Sequence, residues 1–301
     1  MSTNDESARP PRAGVIGLGI MGGAFAKHLA TAGVRTSGFD LLAANLEALR
    51  ANGGQPSASS RAVAEVCDVI ITSLPSSAAL DNVVGEIVAA GRSSLLVIDT
   101  STLSLADKER AQRRLAASGI AMLDAPVSGT GPQAEAKDIT IFASGDRADF
   151  DRARPILAHL ARSVRYVGAF GAGSKVKYIA NLLVAIHILG AAEAIVLGEQ
   201  AGLDPSMLVD LLTDSAATSR MLEVRGPGMA ASLFAKPMMK VEVFLKDLDI
   251  IANFARRNKS PTPVFDASVP FFAAAAAQGM GLEDTASVVS VLRLLVPAEA
   301  P

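Results

Sequence analysis

Tryptophan is absent from this 301-residue chain, tyrosine occurs twice and aromatics make up 4% of residues. With half of the residues hydrophobic, the core must therefore be built from aliphatic and alanine side chains. The single cysteine, Cys67, excludes an intrachain disulfide and any cysteine-based metal framework. Lying between a helical stretch and the apolar run 69–73, it reads as a small buried hydrophobe. The three histidines, His28, His159 and His187, form no set at ligand or catalytic spacing, so no metal is expected. Neither sign of charge dominates: 28 basic and 30 acidic residues leave a formal charge of -2. That balance offers no electrostatic footprint for nucleic acid or an anionic membrane. Residues 1–12 lack an apolar segment and read as a loose tail rather than a signal peptide. The run 178–197 is long enough to span a bilayer, but it contains Asn181, His187 and Glu193 and lacks flanking charge clusters. It reads as a buried helix of a soluble, cytoplasmic protein.

What is present begins with Ala13-Gly-Val-Ile16, a short apolar run that leads straight into Gly17-Leu-Gly-Ile-Met-Gly22. A G-x-G-x-x-G between a strand and a helix, here 20–32, is a dinucleotide-binding pattern. Gly17 makes the tight turn, Gly19 admits a pyrophosphate to the backbone, and Gly22 lets helix and strand pack closely. The helix N-terminus, with Ile20 and Met21, supplies N–H groups to the phosphates. The next strand, 35–39, ends at Asp40, 18 residues past Gly22, where a carboxylate accepts hydrogen bonds from the adenosine ribose. Leu41 and Leu42 follow, so no adjacent arginine awaits a 2'-phosphate and NAD is favoured over NADP.

Strands at 69–73, 95–99, 121–124, 139–143 and 164–167 then alternate with helices at 59–67, 76–90, 105–118 and 146–160. Such alternation implies a mostly parallel, doubly wound α/β sheet. Beyond 172 the pattern is helical only, with Asp204-Pro205 opening one helix and further helices at 238–257, 263–278 and from 283 to about 296. The chain thus divides into a dinucleotide-binding domain, 1–172, and an all-helical substrate and oligomerisation domain, 173–301. The junction reads Gly171-Ala-Gly-Ser-Lys-Val-Lys-Tyr-Ile-Ala-Asn181, where Lys177 and Asn181 stand one turn apart on one helical face. An ammonium and an amide on the first turns of a buried helix need a polar partner, and a substrate would provide one. Lys175 lies off that face and reads as solvated; His187 reads as a core or interface residue.

The glycine loop, Asp124-Ala-Pro-Val-Ser-Gly129, Gly171-x-Gly-x-x-x-Lys177-x-x-x-Asn181 and Lys246-Asp247 together resemble the motifs of the β-hydroxyacid dehydrogenases. That family includes 3-hydroxyisobutyrate and tartronate semialdehyde reductases, and the resemblance runs from about 13 to 296. It implies an N-terminal Rossmann domain joined by a long helix to an all-α C-terminal domain, with NAD as cofactor. It also implies that Leu74, Pro75 and Thr102 line the dinucleotide and that Lys246 lies by the nicotinamide. By the same resemblance, Ser128 and Gly129 hold the substrate carboxylate, Lys177 is the general acid/base and Asn181 orients substrate. The expected reaction is hydride transfer between a small 2- or 3-hydroxycarboxylate and the nicotinamide, in a homodimer or tetramer without nucleic-acid or membrane partners. Three positions depart from relatives. Thr130 replaces the usual glycine of the substrate loop and alters the pocket. Val184 stands where 6-phosphogluconate dehydrogenases carry glutamate, which disfavours decarboxylation. Imine reductases usually replace the lysine that Lys177 retains. The alternatives are a non-catalytic dinucleotide-binding or scaffold protein on the same fold, and an imine or semialdehyde reductase using NADPH.

Overall fold

The computed structural model describes residues 12–297; the tail read at 1–12 lies, but for Arg12, outside the described residues. The chain forms two compact units, the first ending at Lys177 and the second starting at Tyr178.

In the first unit, β1 (Ala13–Ile16), β2 (Thr36–Phe39), β3 (Gln55–Pro56), β4 (Val69–Thr72), β5 (Leu96–Asp99) and β6 (Ala121–Asp124) build one sheet. Its order is β3-β2-β1-β4-β5-β6 with every pair parallel, so the strand order reverses at β1 and β4. The helices α1 (Ile20–Thr31), α2 (Ala43–Ala51), α3 (Ser60–Val66), α4 (Ser77–Ala89) and α5 (Leu105–Ala116) form the crossovers. Side chains of successive strand residues point to opposite faces. Val15, Ile71, Ile98 and Leu123 join Phe25 and Leu29 of α1 in one core. Ile16, Ile70, Val97 and Met122 join Val63, Leu80, Ile87 and Leu115 of α3, α4 and α5 in another. A sheet buried on both faces explains why β4 and β5 are apolar up to their last residue, Thr72 and Asp99, rather than alternating.

The expectation of a single sheet needs one correction. The runs at 139–143 and 164–167 form β8 (Thr140–Ala143) and β9 (Ser163–Tyr166), and these belong to a second sheet headed by β7 (Val127–Ser128). Only Ala125 and Pro126 separate β6 from β7, too little chain for a crossover helix, and β7 runs antiparallel to β8. A bridge between Asp124 and Ser144 links the two sheets. Between β7 and β8 lies the short α6 (Gly131–Glu135), and α7 (Arg147–Leu157) precedes β9.

Helix α8 (Ala172–Gln200) runs from the end of the first unit through the second. It is long and apolar enough to cross a membrane by length and composition, and 44% of its apolar window is buried within the protein. The second unit adds α9 (Pro205–Thr213), α10 (Arg220–Ala230), α11 (Val241–Arg257), α12 (Pro263–Ala275) and α13 (Val288–Leu294). Tyr178, Ile188 and Ile195 of α8 share its core with Phe244 and Leu248 of α11 and with Phe265 and Phe272 of α12. Helix α10 is not among the helices expected from the sequence; it contains Gly226-Pro227-Gly228. Here Gly226 brings α10 against α9: a Cβ at that position would stand 2.9 Å from Val209 Cγ1. The helix read from 238 starts at Val241, since the amides of Met238 and Met239 are held by the Asp284 carboxylate. Asp284 also pairs with the buried Arg225 at 2.7 Å. A π-helical turn over Ala276–Met280 extends α12, and α13 is preceded by a 3-10 turn over Thr285–Ser287.

Candidate active site

The turn from β1 into α1 has the form its glycines require. Gly17 adopts φ +84°, and a Cβ there would stand 2.2 Å from the Ser73 carbonyl oxygen. A Cβ on Gly22 would stand 1.8 Å from the Gly17 carbonyl, whereas one on Gly19 would meet nothing within 4 Å. The outer two glycines are therefore packing requirements, and the middle one leaves an open approach to the backbone. No side chain caps the N-terminus of α1 and its first turn carries no acid, so the helix offers unpaired partial positive charge to a phosphate. Asp40 Oδ2 accepts from the Leu18 N–H at 2.6 Å and Oδ1 from the Leu42 N–H at 2.8 Å. These bonds fix the carboxylate beside the glycine loop, and each oxygen keeps acceptor capacity for a ribose hydroxyl. Leu41 is 90% exposed and presents no cation. The residues present fit an adenine dinucleotide.

Of the other proposed wall residues, Leu74, Pro75 and Thr102 follow strands of the same sheet. Leu74 comes after β4, and its N–H donates to Ser101 Oγ at 2.9 Å; Pro75 beside it is exposed. Thr102, after β5, is half-buried. Lys246 lies on α11 in the second unit, with its ammonium 3.5 Å from Asp247 Oδ1.

The loop expected to hold substrate leaves β7 at Ser128, which pairs with Thr140 of β8. Gly129 has φ +148°, and a Cβ there would press to 2.4 Å from Ile139 Cγ2. Thr130 is the N-cap of α6: Gln133 Oε1 accepts from both its N–H and its hydroxyl, each at 3.0 Å. Its hydroxyl proton is thus spent inside the loop, and the oxygen retains only acceptor character. Helix α6 is held against α1 by His28, whose ring nitrogen bonds the Ala134 carbonyl at 2.8 Å, and by Lys27 with Glu135.

Behind these loops lies a charge cluster that sequence reasoning missed. The β5–β6 register sets Asp99 beside Asp124, and Lys108 of α5, fully buried, reaches them at 3.0 Å and 2.7 Å. Burial alone would push the lysine pKa down; the charges and hydrogen bonds of Asp124 and Asp99 outweigh it and hold the amine above its ordinary range. Asp124 accepts further bonds from Ser144 Oγ, from the Ser174 N–H and from Ser174 Oγ. A signal existed in the sequence: 96–99 and 121–124 both end in aspartate, and Lys108 stands on the stripe of α5 that Ala111 and Leu115 bury.

The glycines of the junction motif serve this contact. Gly171 takes φ +88°, and a Cβ on Gly173 would stand 2.2 Å from the Phe142 carbonyl oxygen. Three residues beyond Ser174, Lys177 is 7% exposed; one turn further along α8, Asn181 is 5% exposed and donates from Nδ2 to Asp247 Oδ2 at 3.0 Å. Asp247, itself buried, was matched in the sequence only as the neighbour of Lys246. Lys175 is exposed, as its position off the face of Asn181 suggests. His187 is also exposed within the chain, so it is not a core residue. Cys67 is fully buried, and burial pushes its thiol up to about 11. Among the described residues no group of three or more His, Cys, Asp or Glu is arranged to hold a metal.

Comparison with known proteins bears on both units. Residues 12–168 match the family model of the NAD binding domain of 6-phosphogluconate dehydrogenase. Residues 171–292 match that described as NAD-binding of NADP-dependent 3-hydroxyisobutyrate dehydrogenase. An L-threonate dehydrogenase of Cupriavidus necator is 38% identical over 282 residues, covering 92% of this chain and 95% of the relative. A crystal structure of 3-hydroxyisobutyrate dehydrogenase from Salmonella typhimurium superposes with a TM-score of 0.85 at 33% identity, covering 93% of this chain and 99% of that one. The Mycobacterium tuberculosis 3-hydroxyisobutyrate dehydrogenase, solved with L-serine, gives 0.87 at 28% identity over 95% of this chain and all of that one.

Proposed function

The chain belongs to the β-hydroxyacid dehydrogenase family, and on that premise we propose that it oxidises a short hydroxycarboxylate with NAD, using Lys177 as general acid/base. The observation that carries this reading is a lysine only 7% exposed, three residues past Ser174, which Asp124 locks, in the unit that also holds the glycine cradle. A bound nicotinamide dinucleotide supplies the hydride acceptor in oxidation and the donor in reduction. Gly17, Gly19, Ile20, Met21 and Gly22 would hold its pyrophosphate, Asp40 its adenosine ribose, and Leu74, Pro75, Thr102 and Lys246 would line the rest.

Ser128 and the backbone at Gly129 bind the substrate carboxylate, through a hydroxyl and N–H groups. Lys177 Nζ takes the proton of the substrate hydroxyl in oxidation and returns it in reduction. Shielded from water, the amine exchanges that proton with the substrate rather than with solvent. Asp247 holds the Asn181 amide in one orientation, which pre-organises it to align the substrate. Thr130, with its proton committed to Gln133, offers a lone pair to a hydroxyl of the substrate. That favours a short acid carrying further hydroxyls, of the threonate type, and the 38% identity to an L-threonate dehydrogenase supports the same class. NAD is preferred to NADP because Asp40 repels a 2'-phosphate and Leu41 offers it no partner. The protein acts in the cytoplasm as a homodimer or tetramer. Exposed Ile179, Leu183 and Leu197 on α8, with Leu211, Val264 and Leu294, form apolar surface that a second copy would cover.

The test is a rate screen over small hydroxyacids, including L-threonate and 3-hydroxyisobutyrate, with NAD and NADP, repeated in Lys177→Ala. Turnover of an acid but not of its amide is expected. The kcat of Lys177→Ala should fall about 10²–10⁴-fold with NAD affinity unchanged. Equal rates on acid and amide would remove carboxylate recognition from the proposal. Unchanged turnover in Lys177→Ala would remove the lysine from the mechanism.

A further inference from the structure

Lys108 pairs with Asp99 and Asp124, and from it two hydrogen-bonded branches lead toward the residues proposed to meet substrate and cofactor. One runs through Asp124. Its carboxylate accepts from Lys108 Nζ at 2.7 Å, Ser174 Oγ at 2.8 Å, the Ser174 N–H at 2.8 Å and Ser144 Oγ at 3.1 Å. Lys108 and the two donors of Ser174 hold the carboxylate oxygens, and the Ser144 hydroxyl, whose one proton is shared with the Asp124 carbonyl oxygen at 3.0 Å, adds a fourth contact, so Asp124 cannot rotate without losing a bond. The same Ser144 hydroxyl accepts from the Gly173 N–H at 2.9 Å, and Gly173 lies flat against the backbone at Phe142. The first turn of α8 is therefore held at two consecutive residues. Ser174 and Lys177 are three apart on that helix and share a face, so the direction in which the Lys177 side chain leaves the backbone is set by the same contacts.

The second branch runs through Asp99. Its Oδ2 lies 3.0 Å from Lys108 Nζ, while Oδ1 accepts from Thr72 Oγ1 and Ser101 Oγ, each at 2.7 Å. Ser101 in turn accepts from the Leu74 N–H at 2.9 Å and so fixes the loop proposed to line the dinucleotide. All of these groups lie in the first unit, at the carboxyl ends of β4, β5 and β6. Lys108, Asp99 and Asp124 are wholly buried, and Ser101, Ser144 and Ser174 nearly so. Lys108 balances one of the two carboxylate charges that the sheet register sets side by side, and hydroxyl and N–H donors stabilise the other. Two of those donors belong to the next functional segments: Ser174 lies one turn before Lys177, and Ser101 receives the Leu74 N–H.

We propose that Lys108 is a positioning residue for the reaction: through Asp124 and Ser174 it aims the helix turn that bears Lys177, and through Asp99 and Ser101 it holds the Leu74 loop. The proposal rests on the dehydrogenase reading of Lys177. Removing Lys108 would leave two buried carboxylates unpaired and risks the fold, so the test cuts each branch at its far end, where the ion cluster stays intact. In Ser174→Ala, kcat should fall about ten- to a hundredfold, the scale of a small misplacement of a reacting group. NAD affinity should be unchanged, and the primary deuterium isotope effect on carbinol-deuterated substrate should be larger. In Ser101→Ala the dissociation constant for NAD should rise while kcat at saturating NAD is kept. Hydrogen–deuterium exchange of the unliganded protein supplies a readout besides turnover: amides of residues 174–178 should exchange faster in Ser174→Ala and not in Ser101→Ala. Lys175→Ala, an exposed change on the same turn, serves as the control that leaves turnover unchanged.

Kinetic constants and exchange in Ser174→Ala that match the parent, in an assay where Lys177→Ala is inactive, would overturn the positioning role and leave the dehydrogenase reading standing. A parallel loss of kcat and NAD affinity in both serine variants would mark the cluster as structural only and would also overturn it. Parent-like turnover in Lys177→Ala would bring down the dehydrogenase reading of the lysine and this proposal with it.

Discussion

On the proposed reading, Asp40 and Leu41 divide one task between adjacent side chains. The carboxylate is held by two backbone amides and stays where a ribose would meet it, while the exposed leucine beside it leaves no cation for a phosphate. Exchanging the pair for Asn and Arg should move the ratio of kcat/KM for NAD and NADP toward NADP; a ratio that stays put would mean that other residues set the preference. Cys67 behaves oppositely, as a group with no reactive role. Desolvation by burial raises its thiol from an ordinary value of 9.0 to about 11. A native-state thiol reagent should therefore leave it unlabelled until the protein unfolds. The sign of the linkage follows: the folded state keeps a proton that the unfolded chain releases above pH 9.0, so stability should decline between about pH 9 and 11. The loss amounts to about 2–3 kcal/mol, at roughly 1.4 kcal/mol for each pH unit. Urea titrations across that range, in the parent and in Cys67→Ala, should show the steeper decline in the parent; equal slopes would remove the thiol as its cause. The burial of Cys67 was legible in the sequence because apolar runs flank it, whereas the size of its shift depends on how completely its neighbours exclude water.

At the level of elements, the N-terminus of α8 shows what a glycine motif is for. In sequence, G-x-G before a helix suggests a turn and no more. In the fold, Gly171 supplies the positive φ and Gly173 supplies contact with the backbone at Phe142. Gly173→Ala places a Cβ 2.2 Å from a carbonyl oxygen that cannot move without disturbing β8, and overpacking of this kind costs about 1–3 kcal/mol. Thermal unfolding should register that cost. Because the displaced turn carries Lys177, kcat should fall further than stability alone explains, and activity that merely tracked the folded fraction would contradict the link. Gly22 makes the corresponding contact in the cofactor turn, with the Gly17 carbonyl. Other elements were hidden in the sequence for the same kind of reason: α10 contains a Gly-Pro-Gly, whose residues disfavour a helix interior, and β7 is two residues long. Neither has a local pattern strong enough to announce itself, and each exists because a neighbouring element pairs with it.

For the molecule as a whole, the apolar side chains left uncovered in the second unit carry the remaining prediction. Light scattering at micromolar concentration should give at least twice the chain mass of 30.9 kDa, and a value equal to one chain would dismiss the proposed oligomer. Replacing Ile179 and Leu183 on α8 with lysine should lower the measured mass without unfolding the chain, since both are exposed within it. The alternation of apolar strands and helices, and its change to helices alone near residue 172, were enough to specify a doubly wound α/β half followed by a helical half. That information is local, written as hydrophobic periodicity and as glycines where the backbone must turn. The cofactor cradle was legible for the same reason, because its three glycines and Asp40 lie within one strand–helix–strand unit. What only the tertiary structure decided depends on residues distant in the chain. The second sheet exists because a two-residue link cannot carry a crossover. The Lys108 cluster exists because the β5–β6 register sets Asp99 beside Asp124 and so calls for a buried cation. The grip of Asp124 on Ser174 spans 50 residues and joins a sheet strand to the helix of Lys177. Sequence periodicity reports which face of an element is apolar; it cannot report which charges two elements bring within 3 Å of each other, because that distance is set by packing alone.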